Sequence, residues 1–436
     1  MKKVLIISYY WPPSGGSGVQ RWLKFAKYLP ENGWQPVVYT VENGEYPVID
    51  ESLNKDVPKE AIILKQPIWE PYTFYKKFTG QKKENKFGHG FVGAKKQNGL
   101  KKMLHTIAVW VRGNFFIPDA RIYWVKPSVT YLYDYLKKNP VDAIVTTGTP
   151  HSLHLIGLQL KQKLNIRWIA DFRDPWTGVY YLKAMKLSSS SLRKHKKLEK
   201  EVLLNADEII TVGTNLKKNL AALVAEKDIG PKIHVISNGY DTDNNTTRPE
   251  TILDRKFTLV YIGLFSKEQN HPALWKAIRE VTEEIPGLKQ HLELKFIGTI
   301  DSSIEQEIEN NQLSSYYNKL AYVKHGEAIQ LQKSAQVLLL SINNYPNAKE
   351  MLTGKLFEYI ASGRPILCLG PNDGDAAAIV KYTNTGIVCE WDDLTKIKDT
   401  LRQYYELYLK QDLKVKSLHI DEYSRKNLTK KLAGLL

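Results

Sequence analysis

Short apolar segments alternate with segments of helical periodicity along most of this chain, and this alternation restricts the fold more than any other feature. Strands are predicted near residues 3–8, 35–40, 141–146, 167–171, 207–212 and 232–236, and again at 257–263, 291–297, 336–342 and 364–370. Helices are predicted between most of them, including 17–31, 151–164 and 213–226. Strands that alternate with helices build parallel sheets covered on both faces, so an α/β fold is expected.

The chain is too long for one hydrophobic core, since 436 residues exceed what a single domain usually supports. The polar stretch SNGYDTDNNTTRPE (237–250) interrupts the alternation and resembles a link between domains. We expect a first Rossmann-like domain over 1–240 with an insertion at about 41–125, a second over 250–415, and a final helix within 416–436 that packs back on the first. Two doubly wound parallel sheets would face a central cleft, the expected place for a ligand.

A glycine loop follows the first strand in PPSGGSGVQRW (12–22). Gly15 and Gly16 precede a predicted helix whose first N–H groups could bind a phosphate or a sugar. The spacing is neither that of a dinucleotide fingerprint nor that of a P-loop. A tight turn without a ligand explains the loop equally well.

Composition indicates a globular protein of a reducing compartment. Hydrophobic residues make up 43% of the chain, and no apolar run reaches the ~20 residues that span a bilayer. The apolar run after Lys2 and Lys3 is short and lacks a cleavage site, so it is not expected to be a signal peptide.

Cys368 and Cys389 lie in apolar runs and are predicted to be buried free thiols. A cytoplasmic location is expected.

The net charge of +16 is concentrated in the first half. Residues 76–126 carry twelve Lys and Arg side chains against Glu84 and Asp119. Such a block attracts phosphate in lipid headgroups, nucleic acid or an acidic substrate, whereas residues 82–99 also resemble a solvated loop. Residues 100–118 interleave apolar and basic residues; they suit a helix in a membrane interface or, equally, one packed on the domain with a solvated basic face.

The stretch KEMLTGKLFEYIASGRPILCLG (349–370) combines two carboxylates with a helix start. Thr353 is a candidate N-cap, and the amides of Gly354 and Lys355 would point at an anion. A carboxylate such as Glu350 or Glu358 can accept hydrogen bonds from two neighbouring sugar hydroxyls. Together these features suit a nucleotide sugar, although acids beside a helix N-terminus also simply complement its dipole.

The order of these motifs resembles that of the GT-B glycosyltransferases, specifically the family 4 group of retaining, nucleotide-sugar-dependent enzymes. The matching stretches are the glycine loop, IPDARIYW (117–124), WIADFRDPW (168–176), VISNGYD (235–241), YIG (261–263) and the paired glutamates with EYIASGRPIL. Each motif is weak alone, and their order and spacing are specific.

The resemblance implies a role for each matching residue. Glu358 would hold the ribose hydroxyls of the donor, and Glu350 would contact the transferred sugar near its reacting carbon. Gly15 and Gly16 would close on the donor phosphate and the acceptor. Lys355 lies in the same motif as the glutamates and could contact phosphate.

One departure from the family concerns the charge that neutralises the diphosphate. Relatives often carry arginine and lysine soon after the glycine that opens the second domain, but this chain has GLFSKEQNH (263–271), with Leu264 at the usual arginine position. Lys267 is the nearest substitute. Lys355 or Arg173 could otherwise supply the charge.

Further candidates follow two strands of the first domain. Asp171 and Arg173 in DFRDPW are predicted to contact the acceptor or the donor sugar, although an ion pair is the commoner meaning of such neighbours. His151 starts a helix and could contact either substrate. No metal is expected, because DTD (241–243) and DGD (373–375) lie in turn-like sequence.

These observations predict a metal-independent hexosyl- or related glycosyltransferase without a cofactor. Its donor would be a UDP- or GDP-sugar, and its acceptor a glycan or lipid-linked molecule in cell-surface polysaccharide synthesis. It would be cytoplasmic, with peripheral attachment to an anionic inner membrane surface, and would not bind nucleic acid. The alternative is a basic GT-B-like binding protein without transfer activity.

Overall fold

The structure is a computed structural model that describes residues 1–46, 48–70, 99–179, 182, 184–241 and 252–436. The chain forms two compact units, Met1–Ser237 with Arg425–Leu436, and Asn238–Ser424. Each unit contains one parallel sheet, so the predicted pair of doubly wound α/β domains is confirmed. Within the described ranges, none of the helices has the length and apolar character needed to cross a bilayer.

The first unit contains a seven-stranded sheet in the order β3-β2-β1-β4-β5-β6-β7. Its strands are β1 (Lys2–Ile7), β2 (Trp34–Val41), β3 (Ile62–Gln66), β4 (Ala143–Gly148), β5 (Arg167–Phe172), β6 (Glu208–Thr211) and β7 (Ile233–Val235). Strand β3 lies inside the expected insertion, where the sequence indicated no strand, and it pairs with β2 from Val37↔Ile62 to Val41↔Gln66.

Helices surround this sheet and complete the first unit. They are α1 (Ser17–Tyr28), α2 (Gly99–Phe115), α3 (Ile122–Lys138), α4 (Ser152–Leu164), α5 (Ser189–Asn205), α6 (Thr214–Ala222) and the final helix of the chain, α14 (Arg425–Ala433). Helix α14 packs on α1, where Leu428 and Leu432 join the same apolar cluster as Trp22. The basic stretch 82–99 lies outside the described residues except for Gly99.

The second unit contains a six-stranded sheet in the order β10-β9-β8-β11-β12-β13. Its strands are β8 (Phe257–Ile262), β9 (Leu292–Ile297), β10 (Tyr317–Leu320), β11 (Val337–Ser341), β12 (Ile366–Leu369) and β13 (Gly386–Cys389). The four predicted strands are present at the centre of the sheet, and β10 and β13 form its two edges. Neither edge strand was predicted as a separate strand.

Helices cover both faces of the second sheet. They are α7 (Pro272–Glu284), α8 (Leu288–His291), α9 (Ser302–Asn310), α10 (His325–Ser334), α11 (Gly354–Ala361), α12 (Asp375–Tyr382) and α13 (Leu394–Leu409). Two apolar clusters result, one including Trp275 and Leu401 and the other including Leu338 and Phe357. Cys368 and Cys389 lie buried on β12 and β13 as free thiols, as predicted.

One close backbone approach holds the loop after β8 in place. Gly298 has a φ of +113°, and a Cβ atom there would lie 2.6 Å from the carbonyl oxygen of Gly263. Gly263 itself has a φ of +112° and donates its N–H to the carbonyl of Ile297 at 2.8 Å. Only glycine allows both conformations without strain, so the backbone at the end of β8 is fixed beside the end of β9.

Candidate functional site

Helix α11 begins next to the carboxyl end of the second sheet. Leu356, Phe357 and Ile360 are buried and hold it against the apolar cluster beneath β11 and β12. Thr353 has the extended backbone of an N-cap residue, but its side chain makes no capping hydrogen bond. The first turn therefore keeps backbone amides that no side chain caps, as an anion-binding helix start requires.

Glu358 lies in the second turn of α11, and a buried amide orients it. Gln332 of α10 is 2% exposed and donates from Nε2 to Glu358 Oε2 at 2.8 Å. The other carboxylate oxygen, Oε1, lies 3.9 Å from His325 Nδ1. The carboxylate is thus held in one orientation and about one-third exposed, which leaves it able to accept hydrogen bonds from a ligand. Sequence reasoning missed Gln332, because nothing local links it to a glutamate 26 residues later.

Glu350 ends a short 3₁₀ turn, Ala348–Glu350, that precedes α11. Its Oε2 atom is buried. The loop before α12 packs against this turn, since a Cβ atom on Gly374 would lie 3.5 Å from the Cα atom of Lys349. Glu350 therefore ends the turn that leads into α11, the helix that carries Lys355 and Glu358.

Lys355 extends from the first turn of α11 over the ring of Tyr261, with Nζ 3.7 Å from the ring centroid. Its Nζ atom is buried and makes no hydrogen bond within the described chain. Burial lowers the pKa of Lys355 to about 7, and the nearby charge of Glu358 opposes that shift. The side chain also lies against Gly263, where a Cβ atom would be 3.6 Å from Nζ.

Several other buried polar atoms near this helix start lack partners. They are Asn347 Oδ1, Thr353 Oγ1 and Asn372 Oδ1, and none makes a hydrogen bond to the part of the chain that the structure describes. Native proteins leave few buried polar atoms unsatisfied, and such atoms call for an explanation. A polar ligand seated at the start of α11 would supply their partners.

Lys267 and Leu264, which follow Gly263, contribute less to this site. Leu264 is 58% exposed. Lys267 is exposed and begins a 3₁₀ turn, Lys267–Gln269, that is fixed by a reciprocal capping box between Ser266 and Gln269. Neither side chain is buried among the polar atoms of the α11 start.

The glycine loop of the first unit is held by an adjacent segment. Gly15 donates its N–H to the Val48 carbonyl at 2.8 Å, and a Cβ atom on Gly15 would lie 3.0 Å from Val48 Cγ1. Gly16 has a φ of +87° and precedes α1 without a side-chain capping bond. The loop is therefore a fixed backbone turn at an uncapped helix start, and whether it binds a ligand stays a prediction.

Asp171 at the end of β5 is fully buried and surrounded by donors. Arg21 of α1 contacts both carboxylate oxygens, with its Nη2 2.9 Å from Oδ1. Trp22 Nε1 donates at 2.6 Å and Thr147 Oγ1 at 3.0 Å. These donors occupy both carboxylate oxygens, which favours a structural role for Asp171. The predicted contact with the acceptor or the donor sugar stays a prediction.

Arg173 ties together the loops at the carboxyl edge of the first sheet. Its guanidinium donates to the carbonyls of Gly148 at 2.8 Å, Thr149 at 2.9 Å and Gly18 at 2.7 Å. These carbonyls belong to the segment after β4 and to the start of α1. Arg173 thus brings positive charge to the start of α1, and three of its five N–H groups donate to backbone carbonyls.

His151 is the N-cap residue of α4 and lies among aromatic rings. It stacks on Trp176, with centroids 5.0 Å apart and planes at 9°. Burial lowers the pKa of His151 to about 4, an effect that Asp119 opposes and Arg173 reinforces. A neutral imidazole here could exchange hydrogen bonds with a substrate hydroxyl but would carry no charge at neutral pH.

Two family models match the chain, and together they span 94–426. "Glycosyltransferase Family 4" matches residues 94–244, and "Glycosyl transferases group 1" matches residues 243–426. This chain is a family 4-like glycosyltransferase of the GT-B fold. No curated protein matches the sequence.

Several solved structures share the fold over nearly their full length. A glycosyltransferase from Rickettsia africae has a TM-score of 0.60 at 14% identity, with 100% of this chain and 97% of that chain covered. Anabaena HepE, solved with UDP-glucose, has a TM-score of 0.55 at 12% identity, covering 100% and 95%. Staphylococcus aureus TarM, solved as a mutant with UDP and sugar ligands, has a TM-score of 0.57 at 11% identity, covering 100% and 99%.

No three His, Cys, Asp or Glu side chains of the described ranges are arranged to hold a metal ion. Asp373 of the DGD sequence forms an ion pair with Lys349, and Asp375 begins α12. Of the DTD sequence only Asp241 lies within the described residues. The expected independence from metal stays a prediction.

Proposed function

We propose that this glycosyltransferase moves a hexose or related sugar from a UDP- or GDP-sugar to a glycan or lipid-linked acceptor in cell-surface polysaccharide synthesis. The observation that carries the proposal is the start of α11, where two glutamates and the buried, unpartnered atoms of Thr353 and Lys355 surround uncapped backbone amides. This set matches the parts of a nucleotide sugar, a diphosphate flanked by hydroxyl-bearing rings.

Each part of the donor has a candidate partner in the second unit. The ribose hydroxyls would donate to Glu358, which Gln332 holds in place. The transferred sugar would lie at Glu350, and the diphosphate at the amides of Gly354 and Lys355. UDP and UDP-glucose in two structures of the same fold support a uridine nucleotide as the first donor to test.

The first unit would contribute the acceptor side. Gly15 and Gly16 form a fixed turn whose uncapped helix start can approach phosphate or a hydroxyl group. His151, neutral and next to Trp176, would accept or donate a hydrogen bond to a sugar hydroxyl. Arg173 would position this loop, because each nitrogen of its guanidinium already donates a hydrogen bond to a backbone carbonyl.

The chemistry requires charge stabilisation more than acid–base catalysis. The bond between the anomeric carbon and the diphosphate oxygen breaks, and its electron pair goes to the leaving diphosphate. A bond forms to the acceptor hydroxyl oxygen, whose proton leaves with the nucleotide product or solvent. Cations and helix amides that face the diphosphate stabilise this transition state without a metal ion. Retention of the anomeric configuration is proposed from the family.

Peripheral attachment to an anionic membrane is part of the proposal, since a lipid-linked acceptor lies at such a surface. Helix α2 presents Met103, Ile107 and Trp110 to solvent, at 54%, 49% and 41% exposure. These residues follow helical spacing and form one apolar stripe. The neighbouring sequence is strongly basic, as an interfacial helix near anionic lipid requires.

Donor binding tests the proposal directly. Calorimetry with UDP- and GDP-sugars should show binding to the wild-type protein. Glu358→Gln should weaken it by about 10- to 100-fold, because hydrogen bonds to a charged acceptor are lost. Glu283→Gln, at an exposed position on α7, is the matched control and should bind like wild type.

A screen of donors with the product's anomeric signal followed by NMR would then identify the sugar and the stereochemistry. Wild-type protein that binds none of the nucleotide sugars would contradict the proposal. That result would favour a basic binding protein that keeps the fold without transfer.

A further inference from the structure

The diphosphate of a donor needs a cation, and the position after Gly263 does not provide one. Leu264 occupies it and is exposed. Two other side chains were candidates for this cation. Lys267 is exposed, and the guanidinium of Arg173 donates hydrogen bonds to three backbone carbonyls. The cation must therefore come from elsewhere if the second unit binds a diphosphate.

Lys355 differs from both in being buried without a hydrogen-bonding partner. Its Nζ atom lies over the face of Tyr261 and makes no hydrogen bond to any described residue. A cation–π contact compensates only part of the cost of removing an ammonium from water. A buried polar atom left in this state points to a ligand that completes its surroundings.

Glycine backbone and the start of α11 lie next to the Lys355 side chain. A Cβ atom added to Gly263 would lie 3.6 Å from Lys355 Nζ. The uncapped amides of α11 begin at the adjacent residue, and Thr353 Oγ1 is a second buried atom without a partner. An oxyanion at this point would meet an ammonium, a hydroxyl and backbone N–H groups at once.

We propose that Lys355 is the cation that binds the donor diphosphate, replacing the arginine absent at Leu264, and that it takes up a proton when the donor binds. This inference rests on the proposed function and assigns the charge that the site would otherwise lack. It also predicts that Lys355 is partly neutral in the free protein and becomes fully protonated when the donor binds.

The electrostatics around Lys355 support the coupling. Burial lowers its pKa to about 7, so much of it is neutral at pH 7.5 to 8. Glu358 on the same helix faces it, with His325 of α10 beside that carboxylate, and Glu350 lies in the preceding turn. Tyr261 and Tyr359 complete the set; burial raises the pKa of both hydroxyls, which stay neutral.

The sign of the pH dependence follows from the bound anion. A diphosphate favours the ammonium form and raises the pKa of Lys355 in the complex. Affinity is then greatest below pH 7 and falls as pH rises from the free pKa of about 7 towards the raised pKa of the complex. The dissociation constant should increase by up to about tenfold per pH unit in that window.

The test is calorimetry with UDP-glucose and GDP-mannose, whose diphosphates are esterified at both ends and do not titrate near neutral pH. Titrations between pH 7 and 8.5, in two buffers of different ionisation enthalpy, measure the protons taken up. Wild type should take up a proton fraction that rises towards one as pH increases through 8.

Three variants separate the explanations. Lys355→Met should weaken donor binding about 10- to 100-fold and remove the proton uptake. Lys355→Arg, which is always charged, should bind without proton uptake and with little pH dependence. Lys267→Met should leave both properties as in wild type.

These measurements test the role of Lys355 separately from the proposed function. Binding to wild type without proton uptake, together with unchanged affinity in Lys355→Met, would overturn the inference and leave the proposed function standing. Loss of affinity in Lys267→Met instead would assign the diphosphate to Lys267. No donor binding to wild type would overturn the proposed function itself.

Discussion

Two ionisable residues, Asp171 at the end of β5 and Lys355 in the first turn of α11, are both buried but differ in their partners. Asp171 accepts hydrogen bonds from Arg21, Trp22 and Thr147. Lys355 makes no hydrogen bond within the described ranges. A buried ionisable group whose hydrogen-bonding partners are all in the protein acts structurally. A buried group without such partners is a candidate to bind a ligand. The sequence predicted a contact with the acceptor or the donor sugar for Asp171 and a contact with phosphate for Lys355.

Replacing Asp171 should therefore destabilise the first unit. Asp171→Ala leaves the buried Arg21 guanidinium without its partner and should cost about 3–5 kcal/mol of unfolding free energy. Urea unfolding followed by tryptophan fluorescence is suitable, because eight of the ten tryptophans lie within residues 1–237. The matched control is Asp174→Ala, an exposed aspartate of the same loop that accepts one hydrogen bond from Thr149; it should change stability by less than about 0.5 kcal/mol. Full stability with lost transfer activity in Asp171→Ala would restore the catalytic role.

Helix α2 is the element whose surface is hardest to explain without a partner. An amphipathic helix on a globular protein normally turns its apolar stripe inward. Here Gly113 is packed against Met185 and Leu187, while Met103, Ile107 and Trp110 are exposed. The stripe is thus available for an apolar environment outside the protein, such as the interface of a bilayer.

We expect the wild-type protein to sediment with vesicles that contain anionic lipid at low salt. Binding should weaken as salt screens the basic block. Replacing Ile107 and Trp110 together by serine should reduce vesicle affinity by at least about tenfold, since each buried side chain contributes about 1.5–3 kcal/mol. Leu409→Ser, at another exposed apolar position on α13, is the matched control and should sediment like wild type. Protein that stays in the supernatant would show that the stripe does not bind membranes.

Central strands were predictable from sequence, whereas three of the four edge strands, β3, β10 and β13, were not. A strand such as β4 is buried on both faces and appears as a continuous apolar run. The edge strands β3 and β10 are half-buried, carry lysine and lack that pattern. Edge pairing depends on neighbours distant in sequence, so propensity alone does not reveal it.

The candidate site was also only partly predictable from the sequence. Glu350, Glu358 and the start of α11 are local in sequence, so motif and capping signals predicted that they lie together. The surroundings of those residues were not predictable, because Gln332 and Tyr261 reach the site from other elements. The different hydrogen-bonding of Asp171 and Lys355 was not predictable either, because it depends on which residues the fold places around each side chain.

At the scale of the whole molecule, the chain leaves the second unit and ends in the first. Arg425–Leu436 belongs to the same compact unit as Met1–Ser237. Leu432 is fully buried there and packs in the cluster that contains Trp22 and Phe25 of α1. The core of the first unit is therefore completed only by the last residues of the chain.

A core substitution in α14 should consequently affect the first unit and spare the second. Leu432→Ala should cost about 2–5 kcal/mol through the cavity it creates. Hydrogen exchange followed by mass spectrometry should show faster exchange in peptides from α1 and unchanged exchange in peptides from α7. Leu401→Ala, buried in the core of the second unit, should give the opposite pattern. Equal acceleration in both units after Leu432→Ala would mean that they unfold as one cooperative body, and the division of the core between two units would not govern stability.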